Sequence, residues 1–346
     1  MELETLSFLR CARCPGFPDQ IKHREAGRAR VSSNHNPEKF RETRNEHSTT
    51  AMSAEPQYSS APAQVPTQVP HSGEGVGAGP DIASTANVLD VICGPLLNYR
   101  RQTGDQTWHG SILLVTKPSS PNPQLRIEGA GAVGSTVASG SAPQVSSPTA
   151  QKLYEDPTKT FWRFFIDVPF LDYEAKWAYT VYPGATGDII RTFVVPSKTQ
   201  SMRIMFHSCN GFSVGTDVDA WSGPALWNDV LRMHEQQPFH VMIGGGDQIY
   251  NDSVRVDGPL KPWTDIGNPK KRREFPFNED MREKCDVFYF DNYVKWYGQE
   301  PFKSANAVIP QINIWDDHDI IDGFGSYTDH FMRCHVFRGI GGVAHK

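Results

Sequence analysis

Several features that would classify a chain quickly are scarce here. The cysteines, Cys11, Cys14, Cys93, Cys209, Cys285 and Cys334, are too few and too scattered over 346 residues to form a disulfide framework. That usage suits a reducing compartment, so an intracellular, cytoplasmic protein is expected. Cys11 and Cys14 have the spacing of half a zinc knuckle, but no second Cys or His pair follows at finger spacing, and the pair reads as solvated tail. No apolar run approaches the roughly 20 residues that span a bilayer, so no transmembrane segment is expected. The opening Met1-Glu2-Leu3-Glu4 has neither the basic start nor the apolar run of a secretory leader. Charge of one sign is also lacking: the formal net charge of -5 names neither a nucleic acid nor a membrane as partner, and any anion site must be local.

What is present falls into three textures. Residues 1–87 are polar, first basic and then rich in Pro, Ser and Gln, and cannot bury enough apolar surface to offset the entropy of ordering. A disordered N-terminal tail is expected there. Residues 88–198 carry short runs rich in aromatic and β-branched residues: Trp108 to Thr116, Thr160 to Val168, Trp177 to Tyr182 and Ile189 to Val195. They predict a small antiparallel β-sandwich domain. Its Gly/Ser/Ala-rich insertion, Gly129 to Pro148, reads as a loop and not as a phosphate cradle, because no Lys-Ser/Thr or helix start follows. In residues 199–346, continuous apolar runs at Met202 to Phe206, Phe239 to Ile243 and Val308 to Trp315 predict strands buried on both faces. Helical spacing at Gly223 to Gln236 and Met281 to Tyr297 intervenes, so this part is expected to form an α/β layer.

Each of those runs ends in chemistry: Ser208-Cys209-Asn210, then Gly244-Gly245-Gly246-Asp247 with Tyr250, then Asp316-Asp317-His318-Asp319. Ends of strands in open α/β sheets line a crevice, so the three clusters are candidates for one site. Three carboxylates within four positions repel one another in an apolar surround unless a cation sits between them. Trp315 and the preceding Ile-Asn-Ile are expected to bury the entrance to this turn. Each cluster also has a plainer reading: a solvated Asp-rich turn, a tight glycine turn, a packed tyrosine, or a small core cysteine. Cys209 could instead be a thiolate ligand, or a nucleophile activated by His207 or a distant histidine. Lys270-Lys271-Arg272-Arg273 reads as a solvated loop, with a hold on a polyanionic or lipid-phosphate substrate as its alternative.

Together these three ends resemble the strand-end motifs of the PhoD-like phosphatases, a branch of the calcineurin-like metallophosphoesterases. The resemblance covers about residues 88–346, and the Trp315 to Asp319 motif is its most specific part. It implies a metallophosphoesterase-like layered α/β sheet in 199–346, following the β-rich domain. It also implies a di- or multinuclear metal centre in which Cys209 and Tyr250 bind iron, Asp247 bridges to calcium or another divalent ion, and Asp317 serves the second position. His318 is implied to contact the phosphate or leaving group, with Asp316 or Asp319 orienting it. The reaction implied is hydrolysis of a phosphate ester, on a small molecule or a phospholipid-type substrate, by a metal-bound hydroxide. The general calcineurin-like pattern has Asp-x-His at the first strand end. Here Cys209 is followed by Asn210 and Gly211, as in the PhoD-like branch. His330, His335 and His345 lie too near the third strand to serve as that family's later ligands, so an incomplete sheet from a C-terminally truncated chain, with weak or absent catalysis, is expected. Two other readings remain at this level: a noncatalytic interaction protein with a vestigial metal fold, and a cysteine hydrolase built on Cys209.

Overall fold

The computed structural model describes residues 88–104, 106–134, 144–145, 147–183, 188–212, 216–217 and 220–346. The expected N-terminal tail lies outside these residues, as does most of the glycine- and serine-rich loop.

Eight strands come first: β1 (Val91–Thr103), β2 (Thr107–Thr116), β3 (Gln124–Ala132), β4 (Gln144–Val145), β5 (Gln151–Glu155), β6 (Thr160–Pro169), β7 (Ala175–Tyr182) and β8 (Ile189–Val195). In β6, read from the sequence as a strand, alternate residues turn inward: Trp162, Phe164, Ile166 and Val168 are buried while Phe165, Asp167 and Pro169 face out. Those inward residues, with Trp108, Ile112 and Leu114 of β2, meet Leu125, Ile127, Trp177, Tyr179 and Phe193 from β3, β7 and β8. This is a sheet-on-sheet core, the smaller sheet running β4-β3-β7-β8.

The remaining elements are β9 (Ile204–His207), α1 (Ala225–Gln236), β10 (Val241–Gly244), α2 (Ser253–Val256), α3 (Lys261–Thr264), α4 (Pro269–Glu274), α5 (Glu279–Tyr297), α6 (Phe302–Val308), β11 (Gln311–Asn313), α7 (Asp329–Met332) and α8 (His335–His345). The two helical patterns read from the sequence are α1 and α5. Helix α5 starts where the Asn278 side chain accepts from the Met281 N–H, with Glu279 and Asp280 in its positive first turn. It buries Met281, Cys285 and Tyr289, one face at four-residue spacing, against α8. Lys270 to Arg273 are helical in α4, capped by the Asn268 side chain, where a loop was expected. The third apolar run is divided: its first residue closes α6, Ile309 and Pro310 break the chain, and only Gln311–Asn313 is strand.

The sandwich does not end where the α/β part begins. The larger sheet has the order β5-β6-β2-β1-β11-β10-β9, so β11 lies beside β1 and the parallel strands extend the antiparallel ones in one seven-stranded sheet. The Tyr179 hydroxyl, buried in the sandwich, donates to the Ala307 carbonyl of α6 at 2.7 Å and ties the two layers again. A small β-sandwich followed by an α/β layer was expected, and the larger sheet runs through both parts. Among the described residues no helix is long and apolar enough to cross a membrane.

Candidate metal centre

Strands β9, β10 and β11 are parallel, so their carboxyl ends share one edge of the sheet. The segments leaving them are laced by backbone hydrogen bonds. Gly245 N–H donates to His207 O (2.7 Å), Cys209 N–H to Gly246 O (3.1 Å) and Asn210 N–H to Asp247 O (2.8 Å). Cys209 and Asp247 both take the left-handed conformation, each at φ 54°, which costs a side-chain-bearing residue energy and marks a constrained site. Gly246, at φ 107°, approaches the next loop so closely that an added Cβ would stand 2.5 Å from the Asp316 Cβ. The glycines thus allow the second and third loops to touch.

Asp247, Asp317 and His318 are brought together, with one ligand atom from each lying within 4.8 Å of the others. The Cys209 thiol sits 3.7 Å from Asp247 Oδ2. Tyr250 stacks on the His318 ring at 4.4 Å, and its hydroxyl has Cys209 as a hydrogen-bonding neighbour. Five of the six residues singled out from the sequence therefore meet. The sixth, Asp316, is exposed at the rim, where its Oδ1 accepts from the Asp317 N–H. Ile314 and Trp315 are themselves exposed, so they do not bury the entrance as expected. Cys209 is exposed as well, which removes the reading of it as a core residue.

Asp319 brackets the acid loops. Its carboxylate accepts from the backbone N–H groups of Asp247 (2.8 Å), Asp316 (2.9 Å) and Ile249 (3.3 Å). Burial raises its pKa to about 6, with those three N–H groups opposing the rise. Burial also raises Asp247, with Asp316 and Asp317 adding to the rise and His318 opposing it. For His318 burial disfavours the imidazolium, yet Asp252, Asp247 and Asp317 together hold its pKa above the ordinary value. The like charge that Asp316 and Asp317 bring to Asp247, and the three carboxylates that favour the His318 imidazolium, give the site a negative potential that a cation would relieve.

The group that holds His318 is one that sequence reasoning did not single out. Asp252 is buried, and its Oδ2 lies 2.7 Å from His318 Nδ1 while its Oδ1 accepts from the Asp322 N–H at 2.8 Å. Neither Asp316 nor Asp319 makes that contact. Asp252 occupies the position before α2 where a carboxylate usually caps the helix, but its side chain makes no capping bond. With Nδ1 engaged, Nε2 is the ring nitrogen left for an outside partner. Around this pair, Asn292 donates to Tyr250 O (3.0 Å) and Asn251 Oδ1 (2.8 Å), and Asn251 donates to Asp319 O (2.8 Å).

The donor set fits a cation. Carboxylate oxygens of Asp247 and Asp317 spaced within 4.8 Å can both reach one ion at the usual ligand distances of about 2.0–2.6 Å, a thiol stands beside them, and the His318 ring lies within the same distance of both. The profile of a family described as PhoD related phosphatase matches residues 171–346. An uncharacterized protein of Saccharomyces cerevisiae is 33% identical over 275 residues, 74% of this chain. The chain spans about 39% of the length of that curated relative. Similar solved structures include one of PhoD, 13% identical, covering 72% of this chain and 45% of that chain at a TM-score of 0.37. A purple acid phosphatase from yellow lupin (Lupinus luteus) seeds is 10% identical, with 73% and 40% coverage and a TM-score of 0.37.

Proposed function

The chain belongs to the family of PhoD-related phosphatases, and from that premise we propose that it is a metal-dependent hydrolase of phosphate esters. The observation that carries the reading is the meeting of Asp247, Asp317 and His318 at the ends of strands far apart in sequence, with Cys209 beside them. Asp247 and Asp317 hold the metal, Asp247 from the centre of the cluster and Asp317 from a loop pinned by the Gly323 N–H on its Oδ2 at 2.5 Å. Cys209 and Tyr250 flank Asp247 as a soft sulfur and a phenol, a pair suited to iron, whereas the carboxylates alone suit calcium or another hard divalent ion. Bound there, such an ion would polarise a phosphoryl oxygen and lower the pKa of water.

His318 is the acid of the reaction. Asp252 fixes its Nδ1, so Nε2 carries the exchangeable proton toward the leaving oxygen of a phosphate ester, and the Asp252 carboxylate behind the ring favours its protonated form. Asp316, at the rim, orients the Asp317 backbone and adds negative potential to Asp247. The substrate is a phosphate-bearing small molecule.

The test is elemental analysis of purified wild type beside Asp247→Ala and Asp317→Ala, with phosphate release from an aryl phosphate followed in the same preparations. Bound metal and phosphate release in the wild type, both lost together in each variant, are expected. A wild type that holds no iron, calcium, zinc or manganese, and gains no activity when they are added, would sink the proposal. Chelator-insensitive activity abolished by thiol alkylation would replace it with a hydrolase built on Cys209.

A further inference from the structure

The turn that follows Asp319 supplies two backbone groups to the proposed chemistry. The Asp322 N–H donates to Asp252 Oδ1 at 2.8 Å, and the next N–H, that of Gly323, donates to Asp317 Oδ2 at 2.5 Å. Successive N–H groups of one turn thus hold the partner of the proposed acid and a proposed metal ligand. Gly323 takes φ 76°, and an added Cβ would stand 2.8 Å from the Tyr327 ring, so the turn requires glycine there.

Asp322 is what anchors the turn. Its carbonyl accepts from the Tyr327 hydroxyl at 3.0 Å, and its carboxylate pairs with Nη2 of Arg255. Arg255 lies in α2, three residues beyond Asp252, so one short segment grips Asp322 at two points, by its N–H and by its carboxylate. The surrounding charges agree. Burial raises the Tyr327 pKa, Arg255 opposes the rise, and Asp322, Asp252 and Asp317 add to it, which sets one cation among three carboxylates. Remove that cation and Asp322 is left facing the like charges of Asp252 and Asp317, a repulsion that opens the turn.

We propose that Arg255 is a positioning residue for the metal centre: its ion pair with Asp322 sets the turn whose two N–H groups orient Asp317 and, through Asp252, His318. Its consequence for turnover rests on the hydrolase reading, whereas the hold on the turn can be measured without metal. The pair is partly exposed, 29% at Arg255 and 47% at Asp322, and pairs of that kind add little to stability. Its loss should therefore loosen the site and leave the fold.

The experiment compares full-length wild type with Arg255→Gln, Arg255→Lys and Asp322→Asn. In metal-free protein, hydrogen exchange at the Asp322 and Gly323 amides, read by NMR, is expected to run about tenfold faster in Arg255→Gln and Asp322→Asn. Arg255→Lys should fall between, keeping the charge without the fork. Affinity for manganese by calorimetric titration, and kcat on an aryl phosphate at saturating manganese, should each fall about tenfold in the same two variants, as when a group behind a metal ligand is removed. KM and the urea midpoint should stay near those of the wild type. The double variant Arg255→Gln with Asp322→Asn should be no worse than either single one, because all three lose the same contact. Asp322→Asn keeps the test decidable if the Arg255 variants do not fold. Unchanged amide exchange, faster exchange with manganese affinity and kcat both intact, or additive losses in the double variant would each overturn the proposal. A wild type that binds no manganese and releases no phosphate would end the hydrolase reading by itself, and amide exchange in the single and double variants would still decide whether Arg255 holds the turn.

Discussion

Asp252 reaches His318 across 66 positions of sequence, and the 2.7 Å contact does two things for the ring. It fixes the tautomer, and it places a buried negative charge behind an imidazolium. Asp252→Asn keeps the size and loses the charge, so His318 should no longer be held as an acid. Turnover of an aryl phosphate is expected to fall about 100-fold, with bound metal unchanged by elemental analysis, because general-acid catalysis is typically worth about 10²–10⁴-fold. Loss of metal in parallel with turnover would show instead that Asp252 supports the ligands and not the acid. Of the residues that meet here, Asp247, Asp317 and His318 stood out in the sequence because they follow short apolar runs where a core would not place them, whereas Cys209 and Tyr250 also read as a small core cysteine and a packed tyrosine, and their roles were implied by the family resemblance alone. Asp252 did not stand out, since an aspartate one position before a four-residue helix reads as a cap, and only the folded chain shows its carboxylate turned elsewhere.

Elements built from local contacts were equally legible. The period-two burial of β6 and the four-residue spacing in α5 are written in their own residues. The join between β1 and β11 was not, because it rests on a short parallel pairing, Asn98 with Gln311, between segments that no local pattern relates. Helix α1 illustrates a further property of an element that its sequence conceals. Near its end, His234 Nδ1 accepts from the Phe239 N–H at 3.0 Å, and burial, aided by the nearby His240 ring and the cationic Arg203 and Lys176, lowers its pKa from 6.5 to about 4. In the unfolded chain the ring takes up its proton near pH 6.5, whereas in the folded chain it stays neutral until about pH 4. Stability is therefore lost as pH falls through that window, at a limiting slope of about 1.4 kcal/mol per pH unit. His234→Gln should flatten the fall of the urea midpoint between pH 6.5 and 4. An unchanged slope in that variant would assign the acid sensitivity elsewhere, His240 being next, since burial lowers it too.

At the scale of the whole molecule the seven-stranded sheet is unevenly covered. On one face of its parallel part, Met205 and Met242 lie under Trp227, Val230 and Leu231 of α1 and Ala305 of α6. Residues of opposite parity point the other way, and there Ile204 is 55% exposed, Phe206 66%, Ile312 38% and Ile314 53%. The apolar runs predicted strands buried on both faces, as parallel strands usually are, and on this second face the expectation holds for Val241 but not for Ile204, Phe206 or Ile312. Among the described residues β9 is also the edge strand of the sheet, where a strand presents backbone groups along its outer side. A contiguous patch of this kind drives non-specific association and dye binding, while its residues contribute little to folding because they remain in water. Replacing Ile204 and Phe206 together by Thr puts strand-compatible β-branched residues at both positions and removes the two most exposed side chains of the patch. The double variant should bind less anilinonaphthalene sulfonate and elute closer to monomer size at high concentration, with a urea midpoint close to that of the parent chain. A clear drop in that midpoint would mean that the two side chains are packed in solution, and that the face is covered.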